Sequence, residues 1–416
     1  MKILYISQYF PPEMGAPAAR VHELAREWVA QGHDVTVLTG FPNHPAGVVR
    51  PEYRKHLKKL VYRECIDGIN VVRTLLAPLP NRKSWERILN YVSFAISAAV
   101  TGSFLKRPDV IIATSPQLMV GLTGWWVGKI KRVPLVFEVR DLWPESIVAA
   151  GMGSRDSFTY KSLEWVARFL YKNATKIVIV SPAFRDAIVR DWSVPAEKIS
   201  VVVNGVDTSL FNVKASISEN SLQPESERGK FIASYIGTMG AAHGLNTVLD
   251  AADRMQHLLP DVEFVFIGEG AEKAKLKQVV LERGISNIRF MPQQPREAVP
   301  GLIRSSDVCL VLLKKADTFK TVIPTKMLEF MACERPIVLG IEGQAKEIVE
   351  SANAGLCIEP ENADQLIQAV TRLRNDSNLR KSLALNGSEY IRNNFDRIRT
   401  AHLYLSILEE MVPVSE

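Results

Sequence analysis

Met1-Lys2-Ile3-Leu4-Tyr5-Ile6-Ser7 is an apolar run that ends in a Pro/Gly loop, Tyr9-Phe10-Pro11-Pro12-Glu13-Met14-Gly15-Ala16-Pro17-Ala18-Ala19-Arg20. Too short for a signal peptide, the run reads as a first β-strand. The loop leads into a helical pattern over residues 18–31, stopped at Gly32. The same unit recurs along the first half. Apolar runs at residues 34–39, 69–74, 109–114, 134–139, 176–181 and 199–203 alternate with helical spacing, as at residues 156–172. Several are near-continuous Val/Ile/Leu, as parallel strands covered on both faces require, so the pattern predicts a doubly wound α/β sheet.

A polar stretch over residues 212–230, rich in Ser, Glu and Asn, then reads as a surface loop or linker. The alternation restarts at residues 231–237, 262–268, 287–291, 307–313 and 336–340. With 416 residues, two domains are expected: 1–203 and 204–395, with 396–416 a helix that crosses back to the first. A hydrophobic fraction of 47% with 23% charged residues excludes a disordered chain. The scattered Cys65, Cys309, Cys333 and Cys357 form no C-x-x-C pair and read as reduced thiols of a cytosolic protein.

The net charge of +6 is unevenly shared: residues 1–203 carry 27 Lys+Arg against 17 Asp+Glu, and residues 204–416 carry 24 against 28. The basic half should meet something anionic. Its cations gather at Arg50, Arg54, Lys55, Lys58, Lys59 and Arg63, at Arg82, Lys83 and Arg87, and from Lys106 to Arg132. Residues 88–105 are free of charge for 18 positions, the threshold for a membrane span. Asn90, Ser93, Ser97, Thr101, Gly102 and Ser103 weaken that reading. A helix packed in the first domain, or one lying in a membrane interface with basic flanks, explains the stretch better.

Candidate site residues lie where strands end. The loop after the first strand has small residues at Gly15, Ala16 and Ala18, which let a pyrophosphate approach the backbone; a tight turn is the alternative. Gly237-Thr238-Met239-Gly240-Ala241-Ala242-His243-Gly244 also follows a strand and opens a helix, and Thr238 and His243 can donate to a diphosphate. Ile267-Gly268-Glu269-Gly270 ends the next strand. Pro324-Thr325-Lys326-Met327-Leu328-Glu329 starts a helix with open N–H groups and places a carboxylate where it can take a ribose diol. Arg140-Asp141 sets a cation beside an acid, either as a cap or as a contact to a sugar hydroxyl. Asn204-Gly205 is a turn signal and reads as a hinge. Two facing sets of strand-end loops, one per domain, describe a cleft for a nucleotide sugar.

In order and spacing, the segments at residues 204–207, 237–244, 267–270 and 324–336 resemble the retaining GT-B glycosyltransferases of family 4, over nearly the whole chain. More narrowly, residues 8–20, 39–47 (with Pro42-Asn43-His44-Pro45) and 140–145 resemble the bacterial O-antigen, capsule and colanic-acid branch that includes N-acetyl-L-fucosamine transferases. The resemblance implies two Rossmann-like domains facing a central cleft. It assigns Glu329 to the donor ribose and puts Thr321 where the family's first glutamate stands. Thr238 and His243 replace its diphosphate-binding Arg and Lys, with Lys326 and Arg20 as substitute cations. Gly15 meets the diphosphate, Gly268 and Gly270 border the nucleotide, and Arg140 takes the place of a sugar-contacting His beside Asp141. Arg140, Asp141, Lys326 and Glu329 are the expected catalytic set, and Gly15, Arg20, Thr238, His243, Gly268, Gly270 and Thr325 complete the donor site.

The partners implied are a nucleotide sugar, such as UDP-N-acetyl-L-fucosamine, a polyprenyl-diphosphate-linked glycan and the anionic inner face of the cytoplasmic membrane. No metal, cofactor or nucleic acid is expected. A GT-B sugar-nucleotide epimerase and a non-catalytic nucleotide-sugar-binding subunit remain as alternatives. A nicotinamide enzyme is disfavoured by the lack of a dinucleotide fingerprint.

Overall fold

The structure, a computed structural model, describes residues 1–13, 15–43, 47–79, 84–149, 154–212 and 229–412. Met14, His44 and Pro45, the cations Arg82 and Lys83, and most of the expected linker lie outside these. The chain divides into two compact units, Met1–Asn204 with Arg397–Glu416, and Gly205–Asp396.

The first unit is built on one sheet. Its strands are β1 (Lys2–Ile6), β2 (Asp34–Gly40), β3 (Val61–Ile66), β4 (Ile69–Thr74), β5 (Val110–Thr114), β6 (Leu135–Val139), β7 (Lys176–Ile179) and β8 (Ile199–Val201). Their order is β3-β4-β2-β1-β5-β6-β7-β8. Successive side chains leave a strand on opposite faces. Ile3 and Tyr5 accordingly join Trp28, Val35 and Val37 in one core, while Leu4 and Ile6 join Leu38, Ile111 and Phe137 in another. Every residue of β5 and β6 is buried, which is why both read as near-continuous apolar runs, with Glu138 of β6 the one charge among them. β3 is different: it pairs antiparallel with β4 at the sheet edge and exposes Arg63 and Cys65. Without a continuous apolar signature it escapes a reading based on buried runs.

The helix Arg397–Glu409 belongs to this first unit and packs along the helix Ala16–Ala30. Trp28 is fully buried, donates its indole N–H to the Ala401 carbonyl at 3.0 Å and meets the Tyr404 ring edge-on at 5.4 Å. A buried ion pair, Glu23 to Arg397 at 2.8 Å, fixes the start of the returning helix. The charge-free stretch forms the helix Ser84–Phe104. One side buries Asn90, Phe94 and Ala98; the other exposes Trp85, Leu89, Ile96, Val100 and Phe104. No described helix is long and apolar enough to cross a membrane.

The second unit has six strands, β9 (Phe231–Ile236), β10 (Val262–Ile267), β11 (Ile288–Met291), β12 (Val308–Leu312), β13 (Ile337–Gly340) and β14 (Gly355–Cys357). All pair in parallel, in the order β11-β10-β9-β12-β13-β14. In each sheet the order reverses at one strand: β1 lies between β2 and β5, and β9 lies between β10 and β12. Loops leaving neighbouring strands at such a point part in opposite directions and leave a crevice at the carboxyl ends.

Trp28 holds the returning helix by both packing and a hydrogen bond. Trp28→Ala should therefore destabilise the first unit by about 3–5 kcal/mol. Urea unfolding should show one transition moving to lower denaturant while a second, from the other unit, stays in place.

Candidate functional site

In the second unit, β9 ends at Gly237, where φ of 145° suits only glycine. Lys326 lies against that turn: a Cβ on Gly237 would stand 3.6 Å from its Nζ. The lysine comes from the second residue of the helix Thr325–Ala332, which Pro324 starts and no side chain caps. Thr325, half-buried, is the first residue of that helix. The Lys326 ammonium sits 3.9 Å from the centroid of the Tyr235 ring. The ring face attracts a cation, and the Tyr235 hydroxyl is turned away to donate to the Thr238 carbonyl at 2.6 Å. Nζ is shut off from solvent and has no hydrogen-bond partner among the described residues. That burial pulls its pKa down to about 7.

His243 lies across the same ring, 6.0 Å from Tyr235 between centroids. Burial, with Lys326 adding repulsion, lowers its pKa to about 3, so the imidazole is neutral. It can serve a diphosphate only as a neutral donor, and Lys326 is the cation at this turn. Thr238 is exposed beside it.

Glu329, one turn further along the helix, is 9% exposed and accepts a hydrogen bond from Arg296 at 3.1 Å. Arg296 in turn lies 4.9 Å over the buried Phe211 ring. No motif pointed to Arg296 or Phe211. A lone arginine in the 3-10 turn Arg296–Ala298 leaves no periodic signal, and only the fold brings it across 33 residues of sequence to Glu329. Thr321 donates to the Thr318 carbonyl at 2.9 Å and offers no carboxylate.

Gly268 and Gly270 need a different account from the one expected. A Cβ on Gly268 would fall 2.1 Å from the Gly237 carbonyl oxygen, and one on Gly270 would fall 2.2 Å from that of Met239. These glycines admit neighbouring backbone, closing the β10 loop onto the β9 loop. Lys273, missed in the sequence, braces the β10 loop by donating to the Gly268 carbonyl at 2.8 Å and to Glu269 at 2.6 Å, and reaches the Met291 carbonyl of β11 at 3.2 Å.

The first unit carries its own charged cluster. Gly15 caps the helix Ala16–Ala30 with φ of 131°, and a Cβ there would meet the Pro17 ring at 3.7 Å, an ordinary contact. The loop before it is braced: Glu13 accepts from the Asn43 amide at 3.0 Å, and Arg50 donates to the Pro12 carbonyl at 2.8 Å. Arg20, expected at the diphosphate, lies inside instead. At 1% exposure it pairs with Glu138 at 2.9 Å and donates to Val202, Val203 and Asn204. The physical reason is Glu138 itself, a carboxylate with no exposure on β6 that needs a cation. Tyr5 donates to its other oxygen at 2.7 Å.

Arg140 follows β6, its backbone N–H held by the Ser115 hydroxyl at 2.8 Å. Its Nε and Nη1 are shut off from solvent and have no partner among the described residues. Glu138 is already engaged by Arg20, so Arg140 makes no ion pair with it. Burial lowers the Arg140 pKa, with Glu138 opposing. Asp141 beside it is pushed up to about 6 by burial, with Arg140 opposing. The basic residues beyond this cluster divide: Arg54 and Arg107 donate to main-chain carbonyls, whereas Lys55, Lys58, Lys59 and Arg63 stand exposed.

Residues 15–205 match the family of the glycosyl transferase 4-like domain, and residues 216–390 match glycosyl transferases group 1. The chain thus belongs to the GT-B glycosyltransferases, with a family-4-like first half. WcaI of Escherichia coli, a glycosyl transferase named for colanic acid biosynthesis, is 25% identical over 380 residues, covering 89% of this chain and 91% of its own. WbjE of Pseudomonas aeruginosa, named as a glycosyltransferase, is 25% identical over 286 residues, 68% of this chain and 70% of its own. The Anabaena protein HepE in complex with UDP superposes with a TM-score of 0.72 at 19% identity, covering 99% and 100% of the two chains. A sucrose-phosphate synthase of Thermosynechococcus elongatus gives 0.80 at 19%, covering 99% of each. At that identity the two structures establish the fold.

The Lys326 site generates a pH dependence. An anion needs the charged form, so affinity for UDP should fall as pH rises through about 7. The sign for folding is opposite: the unfolded chain keeps its proton to about 10.5, so the empty protein gains stability between about 7 and that value. Lys326→Arg should flatten the binding profile, because arginine stays charged. Lys326→Met should weaken UDP by about ten- to a hundredfold, the worth of one charged hydrogen bond. Calorimetric titration with UDP at several pH values reads all three.

Proposed function

We propose that this chain transfers a sugar from a UDP-linked, N-acetylated donor to a polyprenyl-diphosphate-linked glycan, with retention at the anomeric carbon, in bacterial surface polysaccharide biosynthesis. The observation that carries the reading is Lys326: a buried ammonium with no counter-ion among the described residues, held beside a glycine turn at the switch point of a parallel sheet. A nucleotide diphosphate supplies what that geometry lacks. The match to WcaI supports the polysaccharide setting, and the UDP complex of HepE supports the nucleotide.

In this reading Lys326 and the free N–H groups of its helix take up the charge that grows on the leaving UDP. The acceptor hydroxyl attacks the anomeric carbon on the face the phosphate leaves, and its proton passes to the departing phosphate oxygen. The carbon–oxygen bond to phosphate breaks as the new glycosidic bond forms. Glu329, steadied by Arg296, positions the ribose. Arg140 and Asp141 contact the sugar, Asp141 as a carboxylate above about 6. Gly15 leaves room for the diphosphate.

The acceptor's carrier places the enzyme at the inner face of the cytoplasmic membrane. Trp85, Leu89, Ile96, Val100 and Phe104 recur at helical spacing on one exposed face. With the exposed Lys55, Lys58 and Lys59, they suit an anionic interface.

The decisive experiment offers UDP-N-acetyl sugars with a lipid-linked acceptor extracted from membranes. Transfer with retained configuration and release of UDP is expected; Asp141→Asn should remove the acid limb of the rate profile near pH 6, set by the carboxyl at about 6. Isomerised sugar without acceptor would instead identify an epimerase, and binding without turnover a non-catalytic subunit. Sedimentation with anionic liposomes should weaken with salt and on neutralising Lys55, Lys58 and Lys59. A salt-independent result ends the membrane assignment.

A further inference from the structure

Between the edge strand β3 and the helix Ser84–Phe104 lies a groove of about 740 Å³, within the range of about 300–1,000 Å³ typical of small-molecule sites. Val61 and Leu75 line its strand side; Val100, Phe104 and Leu105 line its helix side. Of the hydroxyl-bearing residues that line it, Ser97 and Thr101 are both engaged by Thr74, and Tyr62 is the third. A sugar or a base would find little to hydrogen-bond there beyond Tyr62 and the rim. The charged residues of that rim, Lys59 and Arg63, are both cations. Leu60, Val100 and Phe104 stand 73%, 56% and 86% exposed around it.

An apolar trough with a cationic rim matches an amphiphile: a hydrocarbon chain ending in phosphate. We infer that the groove holds the first isoprene units of the acceptor's polyprenyl carrier, with Lys59 and Arg63 meeting its diphosphate. This deepens the reading above and rests on the acceptor being lipid-linked. The groove would select the carrier chain itself, a task distinct from adsorption of the whole domain to a membrane. The exposed edge of β3 offers a competing occupant, a second copy of this chain pairing strand to strand.

Farnesyl diphosphate is the probe, added to the full-length protein in detergent-free buffer below its micellar range. Wild type should bind it, and inorganic diphosphate should compete poorly. Val100→Trp, which fills the trough from an exposed position, should weaken binding by about tenfold. Leu60→Asp should do the same, and Lys59→Gln with Arg63→Gln should weaken it and flatten its salt dependence. UDP binding, unchanged in each variant, shows that the fold is intact. Farnesyl diphosphate binding as well to Val100→Trp and Leu60→Asp as to wild type overturns the inference, as does a wild-type dimer that either substitution dissolves. The two proposals fail separately. Unaltered lipid binding with continued transfer to lipid-linked acceptor sinks the groove alone, whereas transfer only to water-soluble acceptors sinks the lipid-linked reading itself.

Discussion

An ammonium enclosed by protein without a counter-ion is an unfavourable arrangement, and the second unit is organised around one. Lys326 could relieve its desolvation by losing its proton or by meeting an anion. The Tyr235 face offers partial compensation at 3.9 Å, and no described group offers a hydrogen bond. Everything near it keeps the place open. Gly237 has no side chain, the Tyr235 hydroxyl turns to Thr238, and the neighbouring imidazole is neutral. Gly268 and Gly270 also matter, because the lack of a side chain lets the β10 loop close tight against the β9 turn.

The first unit reaches a similar condition by another route. Glu138 is one buried carboxylate flanked by two arginines, and it spends itself on Arg20. Arg20 thereby joins β6 to the main chain of Val202 and Val203 and to Asn204. Arg140 is left with N–H groups that find no partner among the described residues, at a strand end. A buried ion pair of this kind contributes little net stability, because desolvation offsets the attraction. Its effect is positional. By consuming the only carboxylate of β6, Arg20 keeps the Arg140 guanidinium out of that ion pair.

The doubly wound sheets were legible in the sequence because buried parallel strands announce themselves as near-continuous apolar runs, as at Val110–Thr114 and Val262–Ile267. The edge strand β3 was not, since half-exposed residues such as Arg63 and Glu64 break the run. Glycines at strand ends were legible as close approaches, but nothing in their spacing distinguishes approach by a ligand from approach by backbone. Arg20 failed for a related reason: its partner Glu138 lies 118 residues away, and charge alone does not say whether a side chain turns inward. Lys326 could be named as a candidate from its place after Pro324. Its isolation could not, because that depends on Tyr235 and Gly237, from a strand far earlier in the chain. Arg296 gave no signal at all.

The helix Ser84–Phe104 carries two requirements that explain its lack of charge. Toward the sheet it supplies Asn90, which accepts a hydrogen bond from Gln8 in the loop after β1 and donates to the Ala77 carbonyl at 2.7 Å. That face must be closely packed, and Phe94 and Ala98 are fully buried in it. The opposite face is exposed, yet it holds Trp85, Ile96, Val100 and Phe104 where a water-facing helix would carry Lys and Glu. Solubility alone works against such a stripe. The membrane contact proposed above would account for it, because there the apolar side chains would be removed from water and the flanking cations would face phosphate. The same rotation of the helix that buries Asn90 beside the glycine loop turns Val100 and Phe104 outward, so the polar site and the apolar trough are set by one packing decision.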